Sequence, residues 1–90
     1  MPDPTITLVS APACHFCADA RDALAELSQD HAVAVEVIEA DSDTGAALIA
    51  AHRPAMFPLV LLDGAFFSAG RLPRRKLRAL FTTRTTAGAA

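Results

Sequence analysis

The chain contains two cysteines, and they stand three positions apart in the sequence Cys14-His15-Phe16-Cys17. An apolar segment precedes the pair, and apolar residues recur with helical spacing after it. Two cysteines with this spacing form a dithiol that can open and close by exchange. In a short chain without a secretory signal, that interpretation outranks a structural disulfide. The motif constrains the fold, because a strand must end and a helix must begin at the cysteines.

Length and composition are those of one small globular domain. Ninety residues leave no room for a second core, and 52% hydrophobic with 20% charged residues argues against disorder. The net charge of −2 argues against a nucleic-acid partner. No run approaches the roughly 20 apolar residues of a membrane span, so we expect no membrane partner. Because the first residues lack the pattern of a signal peptide, we expect a cytoplasmic protein whose thiols are reduced at rest.

Charged residues are unevenly distributed along the chain. Acidic residues cluster between positions 19 and 30, whereas basic residues cluster between positions 71 and 84. The distribution predicts two solvated helix faces of opposite sign. A second interpretation is a docking surface for an acidic partner, because Arg74, Arg75 and Lys76 would oppose the dipole at the start of the last helix.

Apolar runs and turn residues predict four strands and three helices in the order β-α-β-α-β-β-α. The predicted strands cover residues 5–9, 33–38, 59–62 and 65–68. The predicted helices run onward from Cys17, from residues 41–44 to about His52, and from Pro73 to about Phe81. In the first helix the buried stripe is predicted to contain Cys17, Ala20, Leu24 and Leu27, and in the last helix Leu77, Leu80 and Phe81.

This order predicts an α/β fold with a four-stranded mixed sheet and helices on both of its faces. The first two strands should be parallel, and the last two should form a hairpin at Asp63-Gly64. The continuously apolar runs 5–9 and 59–62 should be the central strands. We expect residues 1–81 to form the single domain and residues 82–90, which have no pattern, to form a flexible tail.

With the cysteine pair at the first strand–helix junction and a proline opening the third strand, the chain resembles the thioredoxin-fold superfamily, and its brevity is similar to that of glutaredoxins. The resemblance covers about residues 5–81. It implies a thioredoxin-like, glutaredoxin-like βαβαββα fold and a disulfide oxidoreductase active in electron transport and cell redox homeostasis. It implies Cys14 as the exposed nucleophile, Cys17 as the resolving cysteine and a cis-proline at Phe57-Pro58.

The resemblance also implies a set of residues that support the thiols or contact the substrate. His15 and Pro58 are the expected supporting residues. The expected substrate-binding residues are Pro12, Phe16, Met56, Phe57, Ala69 and Gly70, and no metal ligands are expected. Ala69-Gly70 stands where glutaredoxins carry a Gly-Gly turn, and the backbone of Phe57 would pair with an extended substrate segment.

Three segments of the sequence depart from the glutaredoxin pattern that holds glutathione. Ala11 replaces a lysine before the first cysteine, Met56-Phe57 replaces Thr-Val before the proline, and Arg71-Leu72-Pro73 replaces an acidic pair. We expect no bound cofactor. Because the glutathione-holding residues are replaced, the electrons could come either from glutathione or from a thioredoxin-reductase-type flavoprotein. The expected partners are this reductant and a protein or small-thiol disulfide, and the chain is expected to be a monomer.

The residues themselves suggest an order of events at the dithiol. A thiolate is the attacking species, whereas a free cysteine with a pKa near 8.5 is mostly protonated at neutral pH. Cys14 would lie at a helix N-terminus, which favours an anion, and a protonated His15 would add to the effect. Cys17 lies on the buried stripe, so its thiol should stay protonated until Cys14 has attacked a substrate disulfide.

Three other interpretations remain open. The cysteine pair could contribute half of a zinc site, for which the chain offers His15, His31 and His52 but no close zinc-finger spacing. An iron–sulfur-binding dimer occurs among glutaredoxin relatives. The chain could also be a thioredoxin-fold interaction module whose cysteines do not turn over, with the arginine-rich last helix as its docking surface.

Overall fold

A four-stranded sheet with the strand order β2-β1-β3-β4 forms the middle layer of the molecule. The strands are β1 Thr5–Ser10, β2 Ala34–Glu39, β3 Leu59–Leu62 and β4 Ala65–Ala69. The structure is a computed structural model that describes residues 3–12 and 14–89, with side chains described as far as residue 82.

The register of the sheet confirms the predicted mixed topology. Strand β1 pairs in parallel with β2 and antiparallel with β3, which pairs antiparallel with β4. The predicted central strands, β1 and β3, are central, and Ile6, Leu8 and Val60 are fully buried. Because both faces of these strands are covered, β3 is continuously apolar, whereas β1 combines buried Ile6, Leu8 and Val9 with half-buried Thr5 and Thr7.

Helices cover both faces of the sheet, as predicted. They are α1 His15–Asp30, α2 Asp43–His52 and α3 Arg74–Ala89. Helices α1 and α3 pack on one face, in a cluster that contains Leu24, Leu27, Leu77 and Phe81. On the other face Leu48 and Ile49 of α2 pack against a smaller cluster of Val9, Leu59 and Leu61.

Local capping explains where α2 begins and ends. The Ser42 hydroxyl accepts a hydrogen bond from the Gly45 N–H at 3.0 Å and donates one to the Glu39 carbonyl at 2.6 Å. Such an N-cap satisfies one of the unpaired N–H groups of the first turn. The helix ends at a left-handed residue, Arg53, whose N–H bonds the Ile49 carbonyl.

The predicted hairpin at Asp63-Gly64 joins β3 to β4. Both residues have positive φ values, 50° and 84°, which the tight two-residue turn requires. The Asp63 carboxylate also accepts a 2.8 Å hydrogen bond from the Thr5 N–H. The turn is therefore fastened to the first residue of β1.

The last helix differs from its prediction. The sequence pattern ends it near residue 81 and treats 82–90 as a tail, whereas α3 continues to Ala89, and Ala90 lies outside the described residues. The sequence does not predict the last turns of α3 because these turns carry no apolar stripe.

The buried residues around α3 also differ from the predicted stripe. Leu80 is only half-buried, whereas Leu72, just before the helix, is buried. Pro73 precedes the helix, and its carbonyl accepts the Leu77 N–H.

The acidic and basic clusters meet each other across α1 and α3. Arg74 contacts Asp19 at 2.7 Å and Glu26 at 3.6 Å, and Arg78 contacts Asp30 at 3.2 Å. The two helix faces are therefore partly paired with each other and not only solvated as predicted. No helix of the described chain combines the length and the apolar character needed to cross a membrane.

Candidate functional site

Cys14 is the N-cap residue of α1. Its backbone is extended, with φ −100° and ψ 110°, and its Sγ accepts a hydrogen bond from the Cys17 N–H at 3.2 Å. The sulfur therefore lies where the first N–H groups of the helix point and where the dipole favours negative charge. This is the helix-tip position that the sequence predicts for the nucleophile.

A disulfide joins Cys14 to Cys17, with their Cα atoms 5.3 Å apart. The two cysteines differ in exposure, since Cys17 is 3% exposed and Cys14 is half-buried. Cys17 belongs to the buried face of α1, together with Ala20, Leu24 and Leu27, as predicted. An incoming disulfide can therefore reach Cys14 more easily than Cys17.

A groove of about 490 Å³ lies beside the disulfide, and we call it the dithiol groove. Its lining is mostly from the end of β1 and the first two turns of α1: Ser10, Ala11, Cys14, His15, Cys17, Ala18 and Arg21. His15 is exposed in this lining, which suits its expected supporting role. Pro12 and Phe16 lie close to His15 in the sequence, and both are exposed; the exposed fraction of Phe16 is 37%.

Arg21 is a residue of this groove that the sequence analysis missed. Its guanidinium donates a 3.4 Å hydrogen bond to the Ser10 hydroxyl and lies 3.7 Å from the Glu39 carboxylate. The sequence spacing does indicate that Arg21 lies near the cysteines, because positions 14, 17 and 21 share one helix face. Arg21 thus places a cation on the same groove as both cysteines.

The peptide bond between Phe57 and Pro58 is cis, as predicted. Pro58 is buried and directly precedes β3. Because Leu59 pairs antiparallel with Val9, Pro58 comes next to Ser10, the last residue of β1. The proline therefore lies at the same end of the sheet as the loop that leads to Cys14.

Residues 56–58, which we call the platform segment, contact the end of β4. The Gly70 N–H donates a 3.0 Å hydrogen bond to the Pro58 carbonyl. Gly70 has a φ of +90°, and a Cβ at this position would come within 3.2 Å of the Met56 Cβ. Glycine is therefore needed at position 70 for both its backbone conformation and its close approach.

The predicted substrate-binding residues fall into two groups in the structure. Met56, Ala69 and Gly70 lie with Pro58, since Ala69 pairs with Leu59, and Met56 is 53% exposed. Phe57 belongs to the same segment, but it is half-buried and packs against the cluster under α2. Pro12 and Phe16 instead belong to the loop and helix start around Cys14. Their roles in binding stay predictions.

Metal-ligating side chains do not converge in the part of the chain that the structure describes. Among residues 3–12 and 14–89, no three His, Cys, Asp or Glu side chains come together as a metal site. His31 caps the far end of α1 and His52 ends α2, whereas His15 lies beside the thiols. His15 and His31 thus lie at opposite ends of α1 and His52 lies on α2, so among the described residues they form no metal-binding group with the cysteine pair.

Comparison with known proteins agrees with this arrangement. The family model for the Glutaredoxin-like domain (DUF836) matches residues 5–82, whereas no curated protein matches the chain. A thioredoxin-like protein from Clostridium perfringens has a TM-score of 0.72 at 12% identity, over 90% of this chain and 70% of its own. A mutant thioredoxin from Halobacterium salinarum NRC-1 has a TM-score of 0.64 at 21% identity, over 90% and 74%. These solved structures show that the fold is thioredoxin-like.

Proposed function

The chain belongs to the family of the Glutaredoxin-like domain (DUF836), and from this premise we propose that it is a thiol-disulfide oxidoreductase. It reduces disulfides of proteins or of low-molecular-weight thiols through a mixed-disulfide intermediate. The thioredoxin-like fold and a cysteine pair compatible with redox chemistry do not depend on this proposal.

One observation supports the proposal more than any other. The two sulfurs are close enough to be joined, yet one is half-buried at the tip of α1 and the other is buried in its core-facing stripe. A purely structural disulfide does not need this asymmetry. An exchange reaction does, because one thiol must meet the substrate while the other must wait for the intermediate.

In the first step the Cys14 thiolate attacks one sulfur of the substrate disulfide. A bond forms between Cys14 Sγ and that sulfur, the substrate disulfide breaks, and the other substrate sulfur leaves as a thiolate that takes a proton. The helix terminus at Cys14 and the Cys17 N–H favour the attacking anion. The product of this step is the mixed disulfide.

In the second step Cys17 loses its proton to water or to His15 and attacks Cys14 Sγ. The bond between Cys14 and Cys17 forms, the mixed disulfide breaks, and the second substrate thiol is released. Two electrons have then passed from the dithiol to the substrate. Two thiols of glutathione, or a thioredoxin-reductase-type flavoprotein, return two electrons to the protein disulfide.

The platform segment is the proposed site for the chain that carries the substrate disulfide. Met56 offers exposed apolar surface, and Gly70 and Pro58 hold the segment against β4. An extended substrate strand would pair with the backbone of Phe57 and bring its disulfide to Cys14. We place the protein in the cytoplasm, where a reducing thiol pool keeps such a dithiol ready.

The proposal is tested by turnover with two separate reductant systems. The protein is supplied with a neutral disulfide such as 2-hydroxyethyl disulfide and with either glutathione and glutathione reductase or thioredoxin reductase alone. NADPH consumption above the protein-free rate is expected with at least one system, and the active system identifies the electron donor.

Cys14→Ser is the matched control, because it changes one atom of the attacking residue and leaves the fold intact. It should reduce turnover to the protein-free rate. Turnover that persists in Cys14→Ser would contradict the assigned roles, and no turnover of the unaltered protein with either reductant would contradict the proposed activity. Visible absorption and metal analysis of the purified protein would reveal an iron–sulfur or zinc form.

A further inference from the structure

A second groove, of about 780 Å³, lies between α1 and the start of α3. It is lined by Asp19 of α1 and by residues 71–76, and we call it the basic groove. Four of its lining residues are cations: Arg71, Arg74, Arg75 and Lys76. Its apolar floor includes Leu72, which is 2% exposed.

Of these cations, Arg74 is paired with carboxylates. Arg74 contacts Asp19 at 2.7 Å and Glu26 at 3.6 Å, which joins α3 to α1. Among the side chains that the structure describes, no carboxylate lies within ion-pair distance of Arg71, Arg75 or Lys76. Lys76 lies 5.2 Å from the ring centre of Phe67, a contact that holds the ammonium group without neutralising it.

The three unpaired cations are exposed and close together in the chain, so they repel one another. Two of them stand in the first turn of α3, which contains no acidic residue to offset the dipole. Both the repulsion between these charges and their position at the positive end of the helix dipole oppose folding. A local violation of electrostatic preference is expected where a protein binds a partner of opposite charge.

The basic groove also adjoins the proposed substrate site. Arg71 follows Gly70, whose N–H is bonded to Pro58 of the platform segment. Asp19 lies five residues after Cys14, about 7.5 Å along the axis of α1 and about 140° around it, so the groove meets the substrate site at Arg71. A protein bound with its disulfide at Cys14 and a strand on the platform segment would therefore reach the basic groove as well.

We propose that the basic groove recognises acidic residues that flank the disulfide of a protein substrate. Arg71, Arg75 and Lys76 attract Asp and Glu side chains of that substrate and so raise the rate of productive encounter. This inference rests on the proposed function, since it names the class of protein whose disulfide is reduced. The electron transfer itself follows the two steps given above.

A nucleic acid fits these observations less well than an acidic protein segment. The whole chain has a net charge of −2, and acidic residues cover the neighbouring face of α1. A polyanion that follows its backbone over a long distance would meet these carboxylates. A short acidic segment beside a disulfide needs only the three cations of the groove.

The test compares two peptides that carry the same disulfide-bonded cysteine pair, one flanked by glutamates and the other by glutamines. Chemically reduced protein is mixed with each peptide, so that no reductase is needed. At about 20 mM salt we expect the glutamate peptide to react about tenfold faster. At about 300 mM salt the difference should nearly vanish, because the charges are then screened.

Variants identify the groove as the origin of the preference. A triple variant should remove the preference for the glutamate peptide and leave the rate with the glutamine peptide unchanged. It combines Arg71→Gln, Arg75→Gln and Lys76→Gln. Arg75→Gln alone should weaken the preference, and Arg53→Gln is its matched control, because it removes one exposed charge at the end of α2 and should keep the preference. All variants replace exposed side chains, and their thermal unfolding is measured to verify that they fold.

Binding of labelled, cysteine-free versions of both peptides separates this inference from the proposed function. If neither disulfide peptide is reduced but the glutamate peptide binds through the groove, the activity is wrong and the acidic recognition stands. Equal binding and equal rates for both peptides at low salt would overturn the recognition, as would a preference that persists in the triple variant. Tighter binding of a labelled oligothymidine than of the glutamate peptide, through the same residues, would also overturn it.

Discussion

The two sulfur atoms of the motif have different surroundings, although they stand only three residues apart. Cys14 caps α1, and Cys17 is buried among the apolar residues of the same helix. Helical spacing alone predicts this difference, because position 17 continues a buried stripe and position 14 precedes the helix. The sequence did not predict Arg21 on the same groove, because a lone arginine on an amphipathic helix is normally assigned to the solvated face.

The different surroundings of Cys14 and Cys17 predict selective alkylation of the reduced protein. With a limiting amount of iodoacetamide at neutral pH, Cys14 should react at least about tenfold faster than Cys17, because it is more exposed and its thiolate is favoured. Peptide mass analysis measures the two rates. In denaturant the two cysteines should react at similar rates, which is the control. Equal rates in the folded protein would contradict the assignment.

At the scale of elements, strands and caps follow the sequence closely, whereas the end of α3 does not. The continuous apolar run of β3, the Asp63-Gly64 turn and the Ser42 cap are all local signals that the fold uses directly. The extension of α3 to Ala89 has no such signal, because its last turns have neither an apolar stripe nor a stop residue before Gly88. Close packing around Gly45 is equally invisible in the sequence.

Gly45 allows α2 to approach the end of β2. A Cβ at this position would collide with the Glu39 carbonyl group, and it would lie 3.0 Å from the Ala40 Cα. Gly45→Ala should therefore lower the free energy of unfolding by about 1–3 kcal/mol. Helix propensity alone predicts the opposite sign, since alanine is favoured over glycine within a helix by about 1 kcal/mol. Urea unfolding measures the change.

Ala47→Gly is the control for this prediction, because position 47 is exposed in the same helix. It should cost about 1 kcal/mol through helix propensity alone. A Gly45→Ala protein more stable than the unaltered chain would show that α2 does not approach the strand this closely.

At the scale of the whole molecule, the three-layer arrangement brings distant segments to one end of the sheet. Cys14 follows the end of β1, Pro58 directly precedes the antiparallel strand β3 beside that end, and Gly70 directly follows β4. The strand order needed for this convergence was predictable from the β-α-β-α-β-β-α pattern and the hairpin. The pairing of Arg74 with Asp19 was not, because residues 55 positions apart share no local signal.

Burial, and not the ion pairs between α1 and α3, should dominate stability. Leu24 is 1% exposed in the larger cluster, so Leu24→Ala should cost about 2–5 kcal/mol of unfolding free energy. Arg78→Gln removes an ion pair whose side chains are 50% and 58% exposed, and it should cost less than about 1 kcal/mol. Denaturant unfolding of both variants measures the two losses of unfolding free energy and shows which is larger. A larger loss for Arg78→Gln would contradict this account of the fold.

The central claim is that Cys14 attacks and Cys17 resolves, and trapping of the mixed disulfide tests it most directly. The Cys17→Ser and Cys14→Ser proteins are each incubated with the same disulfide-bonded peptide, and the covalent adducts are measured by intact mass. The account predicts a stable adduct at Cys14 in Cys17→Ser and almost none in Cys14→Ser. Adduct formation at Cys17 in Cys14→Ser, at a rate equal to that of the other variant, would contradict it.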